Sequence, residues 1–256
     1  MQLLIDMLTH FPRIKRHLRS IYDFFQGLPP VSYSGISKKL IQECVGKPDP
    51  TILEIGCNDG SHTLWFLQIF KNPKVYCFEP DPRAATRFKQ KVGQHPNLQL
   101  FEIALSDLNG EIEFYQSGGH KNEQEAEMMP DGWDLSGSIR KPKDHLVSHP
   151  WIKFDRAITV KTVTLDDWCE EHEIESIDFI WMDVQGAELD IFRGGKKALK
   201  KTRFLYTEYS YREIYEGQAT IGKLLKYLNN FQILVRYPGD VLLTNKQLEF
   251  APHKAL

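Results

Sequence analysis

The stretch "TILEIGCNDGSH", residues 51–62, runs a hydrophobic segment into a turn that holds Gly56 and Gly60 and carries the acids Glu54 and Asp59. A short apolar run emptying into glycines reads as a buried strand that feeds a ligand-binding turn. The pattern then repeats along the chain. Residues 62–70 read as a helix with an apolar face, 74–80 as a strand, 82–92 as a helix and 98–105 as a strand. Strands separated by helices of that length imply βαβ units and a parallel sheet. In "SDLNGEIEFYQ" (106–116) the Asn109-Gly110 pair signals a hairpin. Residues 117–156 form an irregular insert. Strand 157–163, helix 165–172 and strand 177–184 resume the alternation, followed by a helix from Ala187, strand 203–210 and helix 220–230. "FQILVRYPGDVLLTN" closes the chain as an antiparallel hairpin. The expected fold is α/β: a Rossmann-like, mostly parallel sheet with an antiparallel C-terminal hairpin and an N-terminal helical extension.

In an open α/β sheet the ligand lies outside the carboxyl ends of the strands, where strand order reverses. The turn Gly56, Cys57, Asn58, Asp59, Gly60, Ser61 is expected there. A dinucleotide fingerprint needs GxGxxG and a helix N-terminus that holds pyrophosphate. Here Glu54 takes the place of the first glycine, and a carboxylate beside pyrophosphate repels it. S-adenosylmethionine carries a sulfonium and an amino group and no phosphate, so acids at the strand ends favour it. Glu79, in "CFEPD", ends the second strand and is placed to accept hydrogen bonds from both ribose hydroxyls, with Pro80 beside it. Ala104, Leu105 and Ser106 end the third strand, where small and apolar side chains suit an adenine.

Composition narrows the alternatives. With 256 residues the chain has room for one sizeable domain, and a formal charge of −2 gives no electrostatic pull towards nucleic acid. Cys44, Cys57, Cys77 and Cys169 show no zinc-like spacing and read as reduced core thiols, which fits a reducing cytoplasm. No apolar run approaches the roughly 18–20 residues that span a bilayer. "MQLLIDMLTHFPRIKRHLRSIYDFF" is interrupted by Asp6, His10 and Pro12, so it reads as a basic amphipathic helical stretch and not as a secretory signal. Residues 1–48 are expected to be a helical extension, open to a homo-oligomer contact, and residues 49–256 the catalytic domain.

"IWMDVQGAELDIFRGG" (180–195) ends a hydrophobic strand at Asp183, which is expected to point into the cleft, while Glu188 caps the following helix. Together with "LEIGCNDGS", "FEPDP", "LSGS" (135–138) and "VTLDDW" (163–168), this stretch resembles the FkbM family of methyltransferases over roughly residues 50–210. Gln185 departs from that family's more frequent Glu. The resemblance implies a class I S-adenosylmethionine-dependent O-methyltransferase that hands a methyl group to a hydroxyl of a sugar, glycan or other small natural product. Asp183 and Glu208, at the ends of adjacent strands, are then expected to converge on the acceptor as base and orienter. A divalent metal on those acids is conceivable, but no metal ligands are assigned.

His145 offers a further base. Asp144, His145 and His149 have a chelating spacing, but Pro142 and Pro150 argue against a long helix there. The segment 117–156 is expected to wall the acceptor site, because inserted loops beside a rigid site carry specificity. Lys196, Lys197, Lys200 and Lys201 leave a nucleotide sugar open as the acceptor, although a solvated helix face is the more common explanation of such a group. The competing readings are a catalytically silent Rossmann-like binding protein and an NAD-dependent oxidoreductase. Glu54 and the glycine spacing argue against the second.

Overall fold

The computed structural model describes residues 12–128 and 132–248. Helices α1 (Pro12–Phe25) and α2 (Lys38–Val45) precede strand β1 (Thr51–Ile55), α3 (Ser61–Ile69), β2 (Lys74–Phe78), α4 (Pro82–Val92), β3 (Leu98–Phe101), β4 (Ala104–Ser106) and β5 (Gly110–Gly118). Then follow β6 (Lys153–Thr164), α5 (Leu165–Glu171), β7 (Ile177–Met182), α6 (Glu188–Gly194), β8 (Thr202–Glu208), α7 (Ile221–Tyr227), β9 (Phe231–Arg236) and β10 (Asp240–Asn245). Residues 1–11, part of the expected amphipathic stretch, lie outside the described residues.

A seven-stranded sheet runs in the order β3-β2-β1-β7-β8-β10-β9. The first five strands are parallel, and β10 lies antiparallel to both of its neighbours. The expected parallel sheet and C-terminal hairpin are therefore present. Chain order reverses between β1 and β7, and ligand-binding turns gather at the carboxyl ends beside that point. The central strands are buried on both faces, as continuous apolar runs in a parallel sheet require. Alternate residues feed two cores. Leu53, Ile55, Phe78, Trp168, Ile180 and Phe192 pack on one face of the sheet, and Ile52, Phe66, Val75, Phe88 and Phe179 on the other. Helix α2 contributes Ile41, Cys44 and Val45 to the second core, which ties this part of the N-terminal region to the sheet.

The helix starts follow local chemistry. Asp81 caps α4 by accepting the Arg83 N–H, with Pro82 in the first turn, and Thr164 caps α5 through the Asp167 N–H. At the end of β1, Gly56 has φ +81°, and a Cβ there would lie 1.8 Å from the Asp183 carbonyl oxygen. Only glycine lets the two central strand ends close on each other at the switch point.

Three expectations need correction. The strand read over 98–105 is two strands, because the chain leaves the main sheet after Phe101 and Ala104–Ser106 joins a second sheet of order β4-β6-β5. The hairpin read over 106–116 does not form. β4 pairs with β6 in parallel and β5 pairs with β6 antiparallel, so β6 lies between the two arms. Asn109 instead hooks onto the start of α5: its Oδ1 accepts the Thr164 N–H at 2.7 Å and its Nδ2 donates to Asp167 at 2.6 Å. The strand read over 157–163 is the end of β6, a 12-residue strand of this second sheet and not of the first.

Candidate active site

The cleft at the switch point is assembled from the first residues beyond four strands. Glu79 follows β2 immediately. Its Oε2 accepts the Asn58 N–H at 2.8 Å and its Oε1 accepts the Asp81 N–H at 2.9 Å. One carboxylate thereby fixes the turn after β1 to the turn after β2. Burial raises the Glu79 carboxyl to about 8. Asn58 adopts φ +45°, which asparagine tolerates better than most residues. Its Nδ2 faces Asp134 Oδ1 at 3.4 Å, and Arg87 forms a close ion pair with the same Asp134 carboxylate. The insert is thus anchored on the β1 turn.

Gly56, Asn58, Glu79, Pro80, Ala104, Leu105 and Asp183, all anticipated from the sequence, line one cleft of about 630 Å³ that opens to solvent. Ile103, Phe114 and Ile139 give it an apolar wall, and Asp134, Leu135, Gly137 and Ser138 bring the insert to its rim. Apolar walls with a few convergent polar groups are the make-up of a small-molecule site.

Opposite Glu79 stands an acidic pair. Asp183 follows β7 and donates its N–H to the Ile55 carbonyl at 2.9 Å. Glu208 is the last residue of β8, and its carboxyl and that of Asp183 are electrostatically coupled. Gln185 Nε2 donates to Asp183 Oδ1 at 2.8 Å and to Glu208 Oε2 at 3.0 Å. Burial, and then the Asp183 charge, hold the Glu208 carboxyl well above the usual carboxylate range. Burial raises the Asp183 carboxyl as well, so the two acids titrate as one coupled pair, of which Asp183 is the member that lines the cleft. Glu188 accepts the Gly186 N–H at 3.1 Å, which ties the turn before α6 and does not cap the helix as expected, since the N-cap Ala187 has no side-chain hydrogen bond.

Other expected site residues stand elsewhere. Glu54 is the fourth residue of a five-residue strand, so strand parity turns it away from the cleft and under α3. It is fully buried, accepts the Thr63 hydroxyl, and burial raises its carboxyl to about 8. At neutral pH it is a protonated core group and supplies no negative charge to a ligand. Cys57 is buried in the same core. Asp59 and Ser61 bond each other and Lys91 at the start of α3. A Cβ on Gly60 would strike Val92 and Phe88 of α4. Ser106 is buried on β4 outside the cleft. His145 lies behind Tyr215, its ring 5.3 Å from those of Tyr215 and Phe154, and burial lowers it to about 4, so it is neutral. Among the described residues, no group of three or more His, Cys, Asp or Glu is arranged to hold a metal ion.

The Glu54 geometry has a measurable consequence. Its carboxyl is raised from 4.5 to about 8, so between those values the folded chain holds a proton that the unfolded chain has released. Stability therefore falls as pH rises through that window. Glu54→Gln removes this dependence, and thermal melting is expected to show it raising Tm over wild type more at pH 8 than at pH 5. An equal difference at both pH values would contradict a protonated Glu54.

Asp134, Gln185 and Tyr215 were not anticipated as site residues. The Tyr215 hydroxyl lies 3.0 Å from Gln185 Oε1 and 2.8 Å from the Ser136 carbonyl. The "LSGS" segment marked the neighbourhood: Ser138 Oγ donates to the Gln185 carbonyl at 2.8 Å. No local pattern marks Tyr215.

Comparison with known proteins agrees with this geometry. The family described as Methyltransferase FkbM domain matches residues 54–233. The 2-O-methyltransferase NoeI of Sinorhizobium fredii is 48% identical over 231 residues, covering 88% of this chain and 92% of that protein. The hexuronic acid methyltransferase AglP of Haloferax volcanii is 23% identical over 174 residues, covering 68% of this chain and 60% of that protein. Among the described residues no helix is long and apolar enough to cross a membrane.

Proposed function

Because the chain belongs to the FkbM family of methyltransferases, we propose that its cleft binds S-adenosylmethionine and methylates a hydroxyl group of a sugar. The observation that carries this reading is the placement of Glu79, Asp183 and Gln185 around one apolar-walled cleft, with Glu208 bonded to Gln185. Glu79 holds the ribose hydroxyls, Pro80, Ile103, Ala104 and Leu105 enclose the adenine, and the acidic pair faces the positive end of the ligand. When bound, S-adenosylmethionine supplies a methyl group on a positively charged sulfur.

The chain's own residues do the rest. Asp183 takes the acceptor hydroxyl's proton, so that the oxygen can receive the methyl group as the methyl's bond to sulfur breaks and S-adenosylhomocysteine would leave, and Glu208 holds Asp183 in place while keeping its own proton. Positioning of the two reactants supplies much of the acceleration, and the base adds to it. Residues 134–139 of the insert form the wall against which the acceptor seats. The sugar assignment draws support from the 2-O-methyltransferase and the hexuronic acid methyltransferase named above. Four buried free cysteines suit a reducing compartment, and we place the protein in the cytoplasm.

The test is incubation with methyl-labelled S-adenosylmethionine and a panel of neutral sugars, uronic acids and nucleotide sugars, each beside its 2-deoxy counterpart. Label is expected on a sugar and absent from its 2-deoxy form. Equal labelling of both forms would move the reaction to another hydroxyl, and no labelled sugar in the panel would reject the reading.

A further inference from the structure

Gln185 occupies the most constrained position in the acidic cluster. Its backbone sits at φ +51°, and its carbonyl accepts the Ser138 hydroxyl at 2.8 Å. The amide is oriented without ambiguity, because Oε1 faces the Tyr215 hydroxyl at 3.0 Å and both Nε2 hydrogens point at acids, Asp183 at 2.8 Å and Glu208 at 3.0 Å. A primary amide has two N–H donors, and here each is matched to one carboxyl oxygen. Building on the methyltransferase reading above, we infer that Gln185 is a positioning residue that assigns the charge within the pair, keeping Asp183 ionised towards the cleft and leaving the shared proton on Glu208.

The surroundings explain why such a device is needed. The Glu188 charge of α6 opposes that of Glu208, Asp240 of β10 stands opposite Glu208 in the ladder, and the Tyr215 hydroxyl lies 3.0 Å from Gln185 Oε1. Each of these neighbours is an acid or a phenol, so ionisation of the pair is opposed from α6 and β10 alike. Two donated hydrogen bonds act the other way, because a donor to a carboxylate favours its ionised form. The shorter bond goes to Asp183. Without the amide the proton is no longer confined to the rear carboxyl, and the cleft-facing acid loses its basicity at neutral pH.

The experiment uses the full chain in three forms: wild type, Q185E and Q185N. Asparagine tolerates the positive φ, so Q185N keeps the turn while its shorter amide cannot reach both acids. Carboxyl ¹³C titration by NMR reads Asp183 directly and needs no acceptor. Where the sugar panel yields an acceptor, the pH profile of kcat reads the same group in turnover. In both variants the Asp183 midpoint and the acid limb of kcat are expected to rise by about one pH unit or more, a roughly tenfold loss of ionised base below the midpoint. The KM for the acceptor is expected to change much less than kcat. An Asp183 midpoint that stays in place in Q185N would overturn the assignment, because a packing role alone does not move it. Failure of every sugar to accept label would reject the proposed substrate class and leave the carboxyl titration to decide on Gln185.

Discussion

Asp183→Asn is expected to lower kcat by about 10² to 10⁴, the usual contribution of a positioned general base, and to weaken S-adenosylmethionine binding by a smaller factor, because the substitution also removes the charge that faces the positive end of the ligand. The amide of asparagine has nearly the shape of the carboxylate and keeps an oxygen for the Gln185 N–H, so the cluster retains its geometry. It cannot take a proton. Glu208→Gln serves as the internal comparison. With the shared proton on Glu208, as inferred above, a glutamine there preserves a donor towards Asp183, and the loss should be smaller by an order of magnitude or more. Steady-state kinetics on the two variants separate the roles. Equal losses would mean that the acids act as a unit and that neither is the base on its own.

Glu79→Ala is expected to weaken S-adenosylmethionine binding by roughly tenfold or more, since a hydrogen bond contributes about 0.5–1.5 kcal/mol and two ribose hydroxyls are at stake. The alanine also strips the Asn58 and Asp81 N–H groups of their shared acceptor, which loosens both turns. Glu79→Gln separates the two effects. It keeps one acceptor oxygen for the turns and loses the symmetric two-oxygen grip on a diol. The expected order of affinity is wild type, then Gln, then Ala, read by equilibrium titration. An alanine variant that binds as tightly as wild type would remove Glu79 from the ribose.

The sheet was legible because its strands are short apolar runs separated by helices, and their order follows from that rhythm. Glu79 and Asp183 were legible for a related reason: each is the first residue past its strand, where the chain leaves the sheet and its side chain is free to enter the cleft. Glu54 lies two residues further back, inside β1, where its side chain points away from the face that Ile55 turns to the cleft and enters the core beside Thr63 and Cys77. The second sheet was hidden. Asn109-Gly110 is the same local signal whether the flanking strands pair with each other or with a third strand between them, and that third strand lies some forty residues away at 153–164. Asp134 and Tyr215 reach the site through long-range packing that no local pattern encodes. His145 has the spacing of a ligand, but its position is set by contact with Phe154 and Tyr215.

The most direct test of the account is calorimetric titration of S-adenosylmethionine and of NAD into the wild-type chain. One molecule of S-adenosylmethionine bound per chain, with no heat from NAD, is the predicted result. Binding of NAD, or no binding of S-adenosylmethionine, would contradict the assignment of the Glu79 and Asp183 cleft.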